Sequence, residues 1–194
     1  MKIKQLVLIF LLLTLTVTPV YADDFQDGLD AYNRGDYKEA VKWYRLAAEQ
    51  GDAFAQNNLG LMYDEGHGVP QDYHEAAKWY RLSVEQGYAQ AQNNLGVVYD
   101  KGKGVSQDYK EAAKWYLLSA IQGYAQAQYN LGWMYAYGKG VTRNYVQAHK
   151  WWDILWASGD KEGRMNRDSL EKQMTPAQIA EAQRLAREWM EEHK

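Results

Sequence analysis

The chain of 194 residues carries 22 basic and 25 acidic side chains, a net charge of −3, and no cysteine. Without cysteine there are no disulfides, no thiolate metal sites and no acylated-cysteine lipoprotein anchor. The acidic balance excludes the basic footprint of a nucleic-acid binder. At the N-terminus, Lys2 and Lys4 precede an apolar run from Leu6 to Leu13, and Val20-Tyr21-Ala22 precede an acidic pair. This pattern is that of a secretory signal peptide cleaved after Ala22. The run is too short, and too abruptly ended by Pro19, to span a membrane. Cleavage removes two lysines and no acid, leaving 20 basic against 25 acidic side chains and no membrane anchor. The expected location is the periplasm or the cell exterior.

Beyond the leader the chain repeats itself. "MYDEGHGVPQDYHEAAKWYRLSVEQGY" at 62–88 returns 36 residues later as "VYDKGKGVSQDYKEAAKWYLLSAIQGY", and again as "MYAYGKGVTRNYVQAHKWWDILWASGD". Full units cover 53–88, 89–124 and 125–160, and such a period signals stacked architecture before chemistry. Ala55, Leu59 and Tyr63 stand at i, i+4 and i+8 and predict an amphipathic helix A. Gly60, Gly96 and Gly132 flank that stripe and are expected to admit a close neighbour. Helix A stops at Gly66, Gly102 or Gly138, a residue type at ease with positive φ. Asp72, Asp108 and Asn144 then open helix B, with Glu75, Glu111 and Gln147 three residues later as capping boxes. The G-x-G between the helices is therefore a turn, since a phosphate-binding fingerprint needs a strand before the glycines.

A shortened unit within 23–52 comes first, with Asp36 and Glu39 as its cap and a five-residue-shorter turn. After the full units, residues 161–194 predict capping helices, the last opening on Thr175, Pro176 and Gln178. A solenoid needs such a cap to cover its final apolar face.

Leu59-Gly60, Tyr63, Gly66-x-Gly68-Val69, Asp72, Ala76 and Trp79-Tyr80, recurring at 36 residues, resemble the Sel-one-like repeat family (SLR), relatives of the tetratricopeptide repeats. The resemblance covers residues 28–160. It implies an all-α fold, a right-handed α-solenoid of stacked helical hairpins, that binds other proteins as an adaptor or regulator without catalysis.

In such a scaffold, recognition belongs to the columns that vary. With Leu59 facing the core, 100° per residue turns position 57, 61 and 64 outward, with 65 beside them. The expected partner-binding residues of the first full unit are Asn57, Asn58, Leu61 and Glu65; of the second, Asn93, Asn94, Val97 and Lys101; of the third, Tyr129, Asn130, Trp133 and Tyr137. Tyr129, Trp133 and Tyr137 form an aromatic ladder at i, i+4 and i+8. It either anchors a partner or packs under the C-terminal helices, and its place in a terminal repeat favours packing. The column Asn58, Asn94 and Asn130 either pairs with a partner's backbone or bonds across to the next helix, and its constancy favours the scaffold. Trp156, replacing Ala48, Val84 and Ala120, is expected to fill space against a neighbour outside the repeats.

Chemistry finds little support. Asp64, Glu65 and His67 are not matched in the next unit, where Lys101 and Lys103 intervene, and read as solvated loop charge. His74, His149 and His193 lack an acid or nucleophile at helical spacing, and no G-x-S-x-G, H-E-x-x-H or Walker pattern occurs. No cofactor is expected. The reading is an exported, non-enzymatic scaffold binding a protein along its A helices. Alternatives are a peptidoglycan or other glycan module stacking sugars on the ladder, and an inhibitor or immunity protein for an envelope enzyme.

Overall fold

The computed structural model describes residues 21–193 and contains ten helices and no strand among them. The signal-peptide reading falls almost entirely outside the described residues. Four helical hairpins follow one another: α1 (Tyr21–Asn33) with α2 (Tyr37–Glu49), α3 (Ala53–Glu65) with α4 (Tyr73–Glu85), α5 (Ala89–Lys101) with α6 (Tyr109–Ile121), and α7 (Ala125–Tyr137) with α8 (Tyr145–Ala157). Each odd-numbered helix is a helix A and each even-numbered one a helix B. Helix A packs on its own B and on the B before it, which builds an all-α solenoid.

Local chemistry explains the hairpin. Gly66, Gly102 and Gly138 close helix A in the left-handed region, where Gly66 donates its amide to the Met62 carbonyl. The second glycine of each G-x-G has a different task. At Gly104, with φ +66°, a Cβ would stand 2.6 Å from the Tyr73 carbonyl carbon, at the start of the preceding helix B. Gly68 and Gly140 press in the same way on the Tyr37 and Tyr109 carbonyls. In the shortened first turn Gly35 makes no such contact, and nothing lies within 4 Å of a Cβ there. One glycine therefore ends the helix, and the other joins two repeats.

Gly60 and Gly96 admit the rings of Tyr80 and Tyr116 from the helix B of their own hairpin, a Cβ falling 2.7 and 2.6 Å from ring carbons. Gly28 does the same for Tyr44. Those tyrosines, with Leu59, Leu95 and Leu131, are among the large side chains of the core. Each fully buried side chain of this size contributes about 1.5–3 kcal/mol.

The helix B caps form only half of the expected box. Asp72 accepts from the amides of His74 and Glu75, but the Glu75 carboxylate pairs with Lys78 at 3.3 Å instead of reaching back. Glu111 likewise pairs with Lys114. Lysine at i+3 competes for the carboxylate. The reciprocal box is complete in α10, between Thr175 and Gln178.

Beyond the hairpins lie α9 (Lys161–Glu171) and α10 (Pro176–Glu192), both packed on α8. Helix α9 starts 36 residues after α7, as α7 starts 36 after α5, and Asp160 caps it as Asp52 caps α3. It takes the place of a further helix A. Arg167 and Asp168 stand where Leu131 and Gly132 would recur, which hides the register in the sequence.

Candidate functional site: the A-helix face

Asparagines run through the middle of this face. Asn94 Nδ2 donates to Asn57 Oδ1 at 2.9 Å, and Asn130 Nδ2 to Asn93 Oδ1 at 3.1 Å, each bond crossing from one A helix to the preceding one. Longer links of 3.3 and 3.5 Å join Asn57 to Asn58 and Asn93 to Asn94. The result is a directional chain of amides over three repeats. Asn57 and Asn93 are only 0% and 3% exposed, so the expectation that they line an open groove is corrected. A helical wheel drawn for one hairpin omits the next A helix, which covers that side. Asn58, Asn94 and Asn130 remain partly exposed at the edge of the chain.

Of the other expected residues, Leu61 is partly buried beside a cavity of about 120 Å³ that Leu29, Tyr32 and Tyr44 also line. Val97 is partly buried against the core between the last two hairpins. Glu65 and Lys101 are exposed. Glu65 pairs with His67 at 3.0 Å and Asp64 with Lys103 at 2.8 Å. No cluster of three or more ligating side chains could hold a metal among the described residues.

The aromatic ladder divides. Tyr129 packs partly buried against the group that holds Trp152 and Leu170, and its carbonyl accepts the Trp152 indole N–H at 3.2 Å. Trp133 and Tyr137 stay 37% and 63% exposed, with ring centroids 4.8 Å apart. The C-terminal helices cover these two rings only in part: Leu170 of α9 packs in the group with Tyr129, while Tyr137 borders a cavity of about 280 Å³ that Asn166, Ser169 and Leu170 of α9 also line. Between α5 and α7 lies a cavity of about 300 Å³, lined by Asp100, Lys101, Tyr116, Tyr129, Asn130 and Trp133. Burial, with Asp100 nearby, pushes the Tyr116 phenol up.

Charge is divided between the two helix sets. The A helices α1, α3, α5 and α7 carry seven carboxylates and one basic side chain, Lys101, while their B partners carry six carboxylates and eight basic side chains. Four of those seven carboxylates lie on α1 and none on α7, so the acidic bias of the A helices belongs to the N-terminal end.

The cap has its own polar joint. His149, fully buried where Ala77 and Ala113 stand in earlier units, meets Glu171 of α9 through Nε2 at 2.9 Å. Sequence spacing shows no acid partner for it, because Glu171 arrives from another helix. Arg167 pairs with Asp153 at 2.8 Å and lies 4.3 Å from the Trp156 ring centre, so that ring is shelved on α9.

The family model described as the Sel1 repeat matches residues 25–52, 53–88, 89–124 and 125–154. No curated protein sequence matches the chain. The structure of c5321, "a protective antigen present in uropathogenic Escherichia coli strains displaying an SLR fold", is 35% identical with a TM-score of 0.82, over 88% of this chain and 38% of its own. A Sel1 repeat protein from Oxalobacter formigenes is 34% identical with a TM-score of 0.71, over 75% of this chain and 58% of its own. Cysteine rich protein B of Helicobacter pylori is 25% identical with a TM-score of 0.53, over 66% and 92%. The chain thus spans less than two thirds of the length of the first two.

Proposed function

We infer the function from the premise that this chain belongs to the Sel1 repeat family. Proteins of that family generally mediate protein–protein interaction, on a scaffold fold that is not enzymatic. The protein is an exported, non-catalytic scaffold whose A-helix face binds a protein partner, chiefly at its C-terminal end around Trp133 and Tyr137.

One observation carries this reading: two adjacent large aromatic rings of the A-helix face stay exposed, Trp133 at the cavity shared with α5 and Tyr137 at the one shared with α9. Burying such rings supplies much of the energy of protein interfaces. The amide chain beside them is already paired within the scaffold, so the rings, more than the asparagines, carry the expected affinity. Export is supported by the leader-like residues 1–22 and by the likeness to a protein described as a protective antigen.

The test is capture. Residues 23–194 and a Trp133→Ala/Tyr137→Ala variant, both immobilised, are exposed to envelope extract and the retained proteins identified by mass spectrometry. A protein held by the first and lost by a variant of equal melting temperature is the expected result. Identical capture by both overturns the assignment of the face, and retention of peptidoglycan in place of protein favours the glycan reading.

A further inference from the structure

The 300 Å³ cavity between α5 and α7 has a composition that points to one kind of ligand group. We propose that it receives an arginine side chain of the partner, with Asp100 as counter-charge and Trp133 and Tyr129 as flanking rings. The proposal rests on the A-face reading and specifies its chemistry.

Asp100 is the central observation. Its counterpart in the preceding unit, Asp64, is engaged by Lys103 of the following repeat at 2.8 Å. The corresponding lysine for Asp100 is Lys139, which lies 5.0 Å from the Tyr109 ring centre, just as Lys103 lies 5.0 Å from that of Tyr73, but it makes no ion pair with Asp100 among the described residues. Among the described residues the Asp100 carboxylate, 14% exposed, is held only by its exposed neighbour Lys101, at 3.1 Å. A pair with so exposed a lysine is weak and readily exchanged.

The other walls fit a guanidinium. Trp133 stands in this crevice where Val97 stands one repeat earlier, and the Asn57 and Asn93 column becomes Tyr129. Tyr116, itself 3% exposed, adds a third ring to the cavity wall. A guanidinium offers several donors in one plane, binds carboxylates through two of them, and stacks on aromatic faces, whereas an ammonium is a compact, strongly hydrated charge. In the free protein Lys101 acts as a placeholder that an incoming arginine displaces.

The probe is N-acetyl-argininamide, titrated into labelled residues 23–194 and followed by amide and indole chemical shifts. Its neutral isostere N-acetyl-citrullinamide is the control. The expected result is saturable movement of the Trp133 indole and of amides within 97–101 and 129–134, falling with added salt and absent with citrulline. Asp100→Asn should weaken the effect about fivefold, and Lys101→Ala should tighten it about twofold. Silence of the argininamide, or equal shifts with citrulline, overturns the proposal in the wild-type protein, whatever the variants do. The two readings fail separately. A silent probe alongside capture that still needs Trp133 and Tyr137 removes the arginine and leaves the face; a responsive probe alongside capture indifferent to those rings does the reverse.

Discussion

The middle of the solenoid and its C-terminal end use the same helical positions for different purposes. In α3 and α5 the column holds Asn57 and Asn93, buried, each accepting from the next A helix. In α7 it holds Tyr129, and Asn166 of α9, in register to donate there, bonds instead to the Glu162 carbonyl at 3.0 Å. The amide chain stops at that exchange. Beside it, Val97 gives way to Trp133 and Lys101 to Tyr137, and the face becomes aromatic and open. A repeat that gives up one inter-repeat hydrogen bond gains an exposed aromatic surface, and cohesion there is supplied by the His149–Glu171 and Arg167–Asp153 contacts on the other side of the hairpin.

Backbone contacts between repeats should be the hardest part to alter. Gly104→Ala sets a Cβ 2.6 Å from Tyr73 backbone at φ +66° and should cost on the order of 3 kcal/mol or more in urea unfolding. Gly35→Ala, with positive φ but open space, should cost only about 1 kcal/mol. Asn93→Ala cuts the amide chain in the middle, strands the Asn130 donor, and should cost about 2 kcal/mol by the same measurement. Arg167→Ala releases α9 from Asp153 and should cost about 1–2 kcal/mol, seen as faster hydrogen exchange confined to 161–171.

The smallest effects on stability belong to the open end. Trp133→Ala/Tyr137→Ala should shift stability by no more than about 1 kcal/mol while abolishing partner capture. A mild acid effect should accompany the cap. Asp168 is held below the usual carboxylate range by its hydrogen bond from Arg167. A depressed carboxylate contributes stability above its unfolded pKa and loses it as pH falls through the folded value. Because Asp168 is about half exposed and so screened by solvent, its protonation should loosen α9 only slightly below the ordinary carboxylate range, with the hairpins unaffected, as exchange measured across that range would report.

Much of the scaffold is legible in the residues. The 36-residue period, the Ala55-Leu59-Tyr63 stripe and the glycine stops mark the helical pairs, because the contacts they serve are local or recur in every unit. Other features depend on neighbours that a single repeat does not contain. The burial of Asn57 arises from α5, and the close approach at Gly104 from the start of α4. The register of α9 is concealed because its core positions carry Arg167 and Asp168, charges tolerated where helix α8 offers Asp153. For the candidate face, the ladder's periodicity was visible, but not the splitting of Tyr129 from Trp133 and Tyr137. That depends on where α9 and α10 dock, and the sequence spacing leaves this open.

The most direct test of the central claim is hydroxyl-radical footprinting of the captured complex against the free protein. Trp156 and Met165, both exposed on the cap side, serve as internal references. The account predicts that Trp133 and Tyr137 oxidise readily when free and are shielded on binding, while the references keep their rates. Unchanged oxidation of Trp133 and Tyr137, with shielding instead on the exposed Leu117, Leu118 and Ile121 of α6, would contradict it and place the partner on the B-helix side.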